Sequence, residues 1–283
     1  MPRNLGRLDN IPVLATLPAP STAQGGDIII WNGIPWIYDG LIWRPVPEEG
    51  GASYWRGVFA AIPASTSLTG CGIVLAATGT ATAYAAANSS RVAAIPAVEA
   101  LVTTAATTAV AGFRINALPF RLGQIGGVGG LYMRGLIKNA TGASTTTTRG
   151  FFGLRGASSA PTDVNPSSLT NIVGLGWDSG DANLSIIYND ASGTASKLNL
   201  GANFPRPTAD RSAAWDFTIL SDGSGNVYWA VSGLANGATA SGVLTTDLPA
   251  GNTLLTYNSY ISVGGTSAVI GIGQSMLEVL QVV

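Results

Sequence analysis

The chain contains no histidine. That removes histidine-based triads, histidine metal sites and histidine general bases together. It has a single cysteine, Cys71, which excludes an internal disulfide and any zinc site built on cysteines. Without a histidine partner, Cys71 reads as a small core residue. Glutamate is scarce, with Glu48, Glu49, Glu99 and Glu278 the whole supply. A glycosidase-type carboxylate pair therefore has few candidates; Glu48 and Glu49 sit in a Pro/Gly-rich stretch, and Glu278 is expected to face solvent. Lysine occurs only at Lys138 and Lys197, and the net charge is −1. No cationic cluster is present to displace counterions from a nucleic acid. Charged residues make up 10% of the 283, well under the usual quarter. Such a surface is either hidden in a larger assembly or is a neutral Ser/Thr-rich β surface. The most apolar run, "CGIVLAATGTATAYAAA", is broken by Gly, Thr and Tyr and is too weak to span a bilayer. The opening "MPRNLGRLDN" leads into no apolar run of signal-peptide type. The expectation is synthesis in a cytoplasm, no membrane insertion, and release other than by secretion for any work outside.

What is present begins with "GDIIIWNGIPWIYDGLIWRPV", Gly26 to Val46. Asn32-Gly33 and Asp39-Gly40 favour the φ > 0 conformations of two-residue hairpin turns. Three strands are predicted, Ile28–Trp31, Ile34–Tyr38 and Leu41–Arg44, with Trp31 opposite Ile34, Trp36 opposite Trp43 and Tyr38 opposite Leu41. Alternation puts Ile29, Trp31, Ile34, Trp36, Tyr38, Leu41 and Trp43 on one face. The other carries Ile28, Ile30, Pro35, Ile37 and Ile42, with Arg44 near the edge. Both faces are apolar, whereas a meander in water keeps one polar. Three buried tryptophans would supply roughly 10–15 kcal/mol as an upper bound, which a lone ribbon cannot realise. A second body must cover at least one face: the rest of this chain, other copies of it, or another protein.

Residues 1–25 are polar and Pro-rich and read as an extended arm. The stretch "PVPEEGGAS" marks a boundary, which divides the chain into 1–47 (arm and ribbon), a linker 48–53, and a β domain 54–283. In the third part short apolar/polar runs recur about every ten to twelve residues, as in a sandwich or barrel. Strands are predicted at "TRGFFGLRG", "NIVGLGWD" and "SMLEVLQV", with hairpins about "DASG" (190–193) and "GSGN" (223–226). The Ala-rich stretch 97–112 has some helical propensity, diluted by Thr and Val.

Candidate chemistry is thin. Asp178, Asp181 and Asn183 in "GWDSGDANL" could hold a cation or could simply make the turn; their spacing is not that of a calcium loop. "GQIGGVGG" (123–130) lacks the P-loop and dinucleotide patterns and suits flexible or tightly packed glycines. Trp177, Trp215 and Trp229 could stack on a sugar or pack in a core. Loops 178–183 and 221–226 are candidate contact loops.

The elements "FxGLRG", "NPSSLTNIVGLGWDSGDANL", "YNDASGTASKLNLGANFP" and "AWDFTILSDGSGNVYWAV", in that order, resemble a segment recurring in tail-fibre and related virion proteins of tailed bacteriophages. "TGTATA" (78–83) and "FRLGQIGGVGGLYMRGLI" fit the same arrangement, so that the likeness spans most of 54–283. The ribbon is similar to small β units near the N-termini of phage fibres. The resemblance implies an all-β chain, in which the arm and ribbon precede a concanavalin- or lectin-like antiparallel β-sandwich. It implies a homotrimer on the virion surface, with residues 1–47 docking to tail, baseplate or capsid proteins and the distal part meeting a host surface glycan. No catalytic residue, metal or cofactor carries over. A long fibre has a repetitive shaft, and this chain has only a short linker, which leaves a short fibre, a head decoration without receptor role, or a carbohydrate-degrading spike. The residues expected to mediate docking or oligomerisation are Ile29, Trp31, Trp36, Tyr38 and Trp43.

Overall fold

The computed structural model describes residues 11–32, 34–46, 53–58, 67–70, 73–83, 90–125, 128–140, 147–207 and 211–282. Cys71, Glu48, Glu49, nearly all of the expected linker and most of "GASTTTT" lie outside the described residues. Strands make up almost all of the regular structure. The first four are β1 (Val13–Leu14), β2 (Ile28–Trp31), β3 (Ile34–Tyr38) and β4 (Trp43–Pro45). Next come β5 (Ser53–Val58), β6 (Ser67–Gly70), β7 (Ile73–Thr78), β8 (Thr80–Ala83), β9 (Val98–Ala106), β10 (Val110–Arg114), β11 (Gln124–Ile125) and β12 (Val128–Asn139). The remainder are β13 (Arg149–Arg155), β14 (Ile172–Trp177), β15 (Ser185–Asn189), β16 (Ser196–Asn199), β17 (Ala214–Ser221), β18 (Val227–Gly233), β19 (Thr239–Leu244), β20 (Thr256–Ser262) and β21 (Ala268–Val282).

They form three sheets. β1–β4 make a small sheet in sequence order. An eight-stranded sheet runs β16-β15-β14-β13-β20-β10-β7-β6. A nine-stranded sheet runs β19-β18-β17-β12-β21-β9-β8, with β5 also on β21 and β11 on β12. Ser53 already belongs to β5, one residue before the expected domain start. The Ala-rich stretch 97–112 is β9 and the start of β10 rather than helix; its Thr and Val residues suit a pleated surface.

The two large sheets pack face to face. Phe113, Phe152, Leu175, Ile186 and Tyr257 from one meet Met133, Phe217, Ile219, Val231 and Val279 from the other in a single buried cluster. Trp177, Trp215 and Trp229 belong to this core, which settles them as packing residues. Two of these indoles lie on glycine: a Cβ at Gly150 would sit 2.2 Å from the Trp177 ring, and one at Gly242 2.8 Å from that of Trp229.

Candidate functional site

The tryptophan-bearing sheet is the first site to place. The register about Asn32 is as expected, with Trp31 opposite Ile34, Ile29 opposite Trp36, and Asn32 at φ +52°. The second connection is longer than predicted. Tyr38 pairs with Trp43 rather than Leu41, and Trp36 with Pro45. The Asp39 carboxylate explains this: its Oδ1 accepts from the backbone N–H groups of Leu41 and Ile42, both at 2.9 Å, which builds a four-residue loop. The shift is even, so Trp43 keeps its predicted face.

That face is covered by the same chain. Across four adjacent strands of the nine-stranded sheet, Tyr228, Leu220, Tyr132 and Leu280 stand in one row. Ile29, Trp31, Trp36, Tyr38, Ile42 and Trp43 form one buried cluster with this row. The Trp36 and Tyr132 rings meet edge to face at 6.0 Å, and those of Trp31 and Trp36 at 5.4 Å. Trp31 reaches over Gly130, where a Cβ would come within 2.9 Å of its ring. The indole N–H groups of Trp36 and Trp43 donate to the carbonyls of Trp31 (3.3 Å) and Pro18 (2.9 Å). Thus Ile29, Trp31, Trp36, Tyr38 and Trp43, expected to meet sister chains or a virion socket, meet the chain's own sandwich. The cover that the sequence demanded is intramolecular.

The next row is polar. Ala230, Thr218, Arg134 and Glu278 stand side by side. Arg44, on edge strand β4, donates to Tyr132 Oη (3.2 Å) and Thr218 Oγ1 (3.0 Å) and pairs with Asp39. Arg134 holds Asp216 through Nε (2.9 Å) and lies 3.9 Å from Glu278. Glu278 is buried, contrary to the expectation of a solvent-facing residue, because β21 lies inside its sheet and not at an edge.

Burial pushes the Tyr132 phenol up to about 12, and raises those of Tyr257 and Tyr260 as well. The folded state then holds protons that the unfolded chain releases near pH 10. Stability from these phenols is whole below pH 10 and falls as pH rises through the folded values. A spectrophotometric titration should show a class of tyrosines that ionises only with unfolding. Ionisation of every tyrosine near pH 10 in the folded chain would contradict it.

Asp178 and Asp181 do come together, but the cation between them is Lys197. Its ammonium donates to Asp178 Oδ2 (2.9 Å) and to Asp181 Oδ2. Burial alone would lower the Lys197 pKa; the hydrogen bonds to Asp181 and Asp178 outweigh it and raise it. Asp178 also accepts from the Ser167 N–H (3.0 Å), and Asp181 from that of Asp178 (2.9 Å), so the turn reading holds. Lys197→Ala is expected to cost about 1–2 kcal/mol in chemical denaturation. That stabilisation is present below the unfolded lysine value and is lost as pH rises through the raised one.

The 221–226 loop is tied to itself, with Asp222 accepting from the N–H groups of Ser224 (2.8 Å) and Asn226 (3.2 Å). Beside it, Gly123, Gly223 and Gly251 border a depression of about 60 Å³, large enough for only a water or two. The described glycines of 123–130 are packed closely: a Cβ at Gly123 would lie 2.7 Å from Gly251, and one at Gly129 2.5 Å from Gln124. Among the described residues no group of three or more His, Cys, Asp or Glu side chains is placed to hold a metal ion, and no helix is long and apolar enough to cross a membrane.

Two large antiparallel sheets packed face to face are the decisive observation, and solved structures share them. The chain is similar to peanut lectin, solved with a nine-residue peptide, at a TM-score of 0.50 and 11% identity over 83% of this chain and 99% of that one. It is similar to lectin I of Ulex europaeus, solved with the methyl glycoside of α-L-fucose, at a TM-score of 0.50 and 12% identity over 81% and 98%. The fold is a lectin-like β-sandwich. No protein-family model matches the chain, and no curated protein matches it. At these identities the likeness is one of fold.

Proposed function

We propose that the chain is an adhesive structural protein of a tailed bacteriophage, a short virion-surface fibre whose lectin-like sandwich meets the host surface. The observation that carries this reading is the lectin-like sandwich lying where the fibre-like sequence elements of 54–283 are collinear. Among the described residues, the Asp178–Asp181 pair is bridged by Lys197 and Asp216 is held by Arg134, ties that suit a structural role. Adhesion by several such chains, in a homotrimer, gains from effective concentration even when each site is weak.

With the aromatic face turned inward, attachment to other virion proteins falls to the outward face of the small sheet. There Val13 is 75% and Ile37 36% exposed, and Ile28, Ile30 and Pro35 are partly buried. Ile37→Glu should leave folding stability within about 0.5 kcal/mol and reduce incorporation into particles, read by immunoblot of purified virions. Normal incorporation would remove this face from the docking role.

The adhesive role is tested by competition. Purified chain should block adsorption of intact particles to host cells. A chain that is present on particles yet fails to compete would be a head decoration. Release of reducing sugar from host polysaccharide would make it a degrading spike.

A further inference from the structure

The outward face of the eight-stranded sheet is polar where a covered face should not be. Segment 156–171, between β13 and β14, lies over it, and Phe151, Ile172, Ile187, Ala195 and Tyr260 form a small buried cluster beneath. Alternation along the strands puts Arg149 and Arg155 of β13, and Asn258, Tyr260 and Ser262 of β20, on this same face, with Arg114 of β10 directly opposite Asn258. Asn258, Tyr260 and Ser262 are fully buried. Both amide atoms of Asn258, Tyr260 Oη, Ser262 Oγ, Arg155 Nη1, Arg149 Nε and Asn189 Oδ1 have no hydrogen-bond partner among the described residues. These are seven of the thirteen such buried side-chain atoms among the described residues, gathered on one face of one sheet. Each is costly to bury unmatched, and a concentration of them calls for partners from outside the protein, whether water or a ligand.

The character of the guest follows from the groups. Arg149 is paired with Asp163. Arg114 donates only to neutral acceptors, the Ser158 carbonyl (3.2 Å) and Thr78 Oγ1 (3.0 Å), and burial lowers the pKa of Arg155. Two guanidinium groups without a carboxylate partner among the described residues, beside a mixed set of hydroxyl and amide groups, suit a polyhydroxylated ligand carrying a carboxylate. The covering segment is tied down unevenly. Residues 163–169 are pinned: Asp163 accepts from Gly264 N (2.9 Å), the Ser167 carbonyl from Ala195 N (2.9 Å), and the Leu169 carbonyl from Asn189 Nδ2 (2.8 Å). Ala157–Thr162 is held to the sheet by the Arg114–Ser158 bond, at the side where Arg114 and Arg155 are partly exposed.

We propose that this face, entered beside Ala157–Thr162, binds an acidic saccharide through Arg114, Arg155, Asn258, Tyr260 and Ser262. The proposal rests on the adhesive reading and names the class of glycan recognised.

The test is calorimetric titration of the full chain with trigalacturonate and triglucuronate, and with maltotriose as the neutral control. The expected result is salt-sensitive binding of at least one acidic trimer and none of maltotriose. Asn258→Leu should weaken that binding at least tenfold while raising the melting temperature, because it removes two unmatched buried atoms. Arg155→Gln should weaken it comparably. Equal binding of maltotriose would overturn the ligand class. If neither acidic trimer binds at millimolar concentration, or Asn258→Leu lowers the melting temperature and leaves binding intact, the unmatched groups are a hydrated interior and the proposal fails. Should it fail while purified chain still blocks particle adsorption, adhesion stands and the site lies elsewhere; should adsorption also be unaffected, both fall.

Discussion

Trp36→Ala is expected to destabilise the chain by about 3–5 kcal/mol, the cost of emptying a fully buried aromatic position. Trp36 is the centre of the contact between the small sheet and the sandwich: it touches Trp31 on its own sheet and Tyr132 on the other, and its N–H is satisfied internally. Its neighbour Ile37 points the opposite way and is 36% exposed. Ile37→Ala should therefore cost under about 1 kcal/mol, although both side chains come from one strand. Urea denaturation followed by tryptophan fluorescence measures both. A loss below 1 kcal/mol for Trp36→Ala would mean that the small sheet is not seated on the sandwich. The variant should also expose Tyr132, Leu220, Tyr228 and Leu280 in part, detectable as dye binding before the main transition.

Arg134→Met is expected to cost about 3–5 kcal/mol, because removing one partner strands a buried charge. The guanidinium donates to both oxygens of Asp216, at 2.9 and 3.2 Å from Nε, and stands beside buried Glu278. Hydrogen bonding to Asp216 raises the Arg134 pKa, so the group stays charged throughout the working range. Adding Asp216→Leu to Arg134→Met should recover much of the loss. A double variant no more stable than Arg134→Met alone would assign the effect to lost packing of the arginine stem.

Much of the fold was legible because two-residue periodicity and turn residues are local signals. Strands β2 and β3 have the bounds read from the sequence, and so does the register at Asn32. The hairpin between β15 and β16, and that between β17 and β18, surround the turns picked out by Gly, Asn and Asp. What failed depended on one local side-chain bond and otherwise on contacts between distant residues. The Asp39 connection was read as a bare Asp-Gly turn, whereas the Asp39 side chain builds a longer loop. The position of Glu278 depends on which strands flank β21, and β5 and β9 come from more than 160 residues earlier. The partner of the tryptophans was the hardest to see. Its signal lies in "LYMRGLI", "FTILS" and "VYWAV", where both faces of a strand carry large apolar residues instead of alternating with polar ones. Such two-sided strands announce that something sits on the outside of the sheet, but not what. The polar groups beneath segment 156–171 were missed because Asn258, Tyr260 and Ser262 look like ordinary polar positions of a half-exposed strand.

The placement of β21 also governs when this molecule can come into being. It is hydrogen-bonded to β12 along one side and to β5 and β9 along the other. The strands it joins are made first, yet β12 and β9 each keep one side unpaired until β21 has left the ribosome. Until then the row under the tryptophans lacks Leu280, and the indoles have only part of their seat. Closure therefore waits for β21 to be made and proceeds through long-range pairing, the slow regime for β topologies. During that interval the aromatic ribbon is the segment most in need of protection from neighbouring nascent chains.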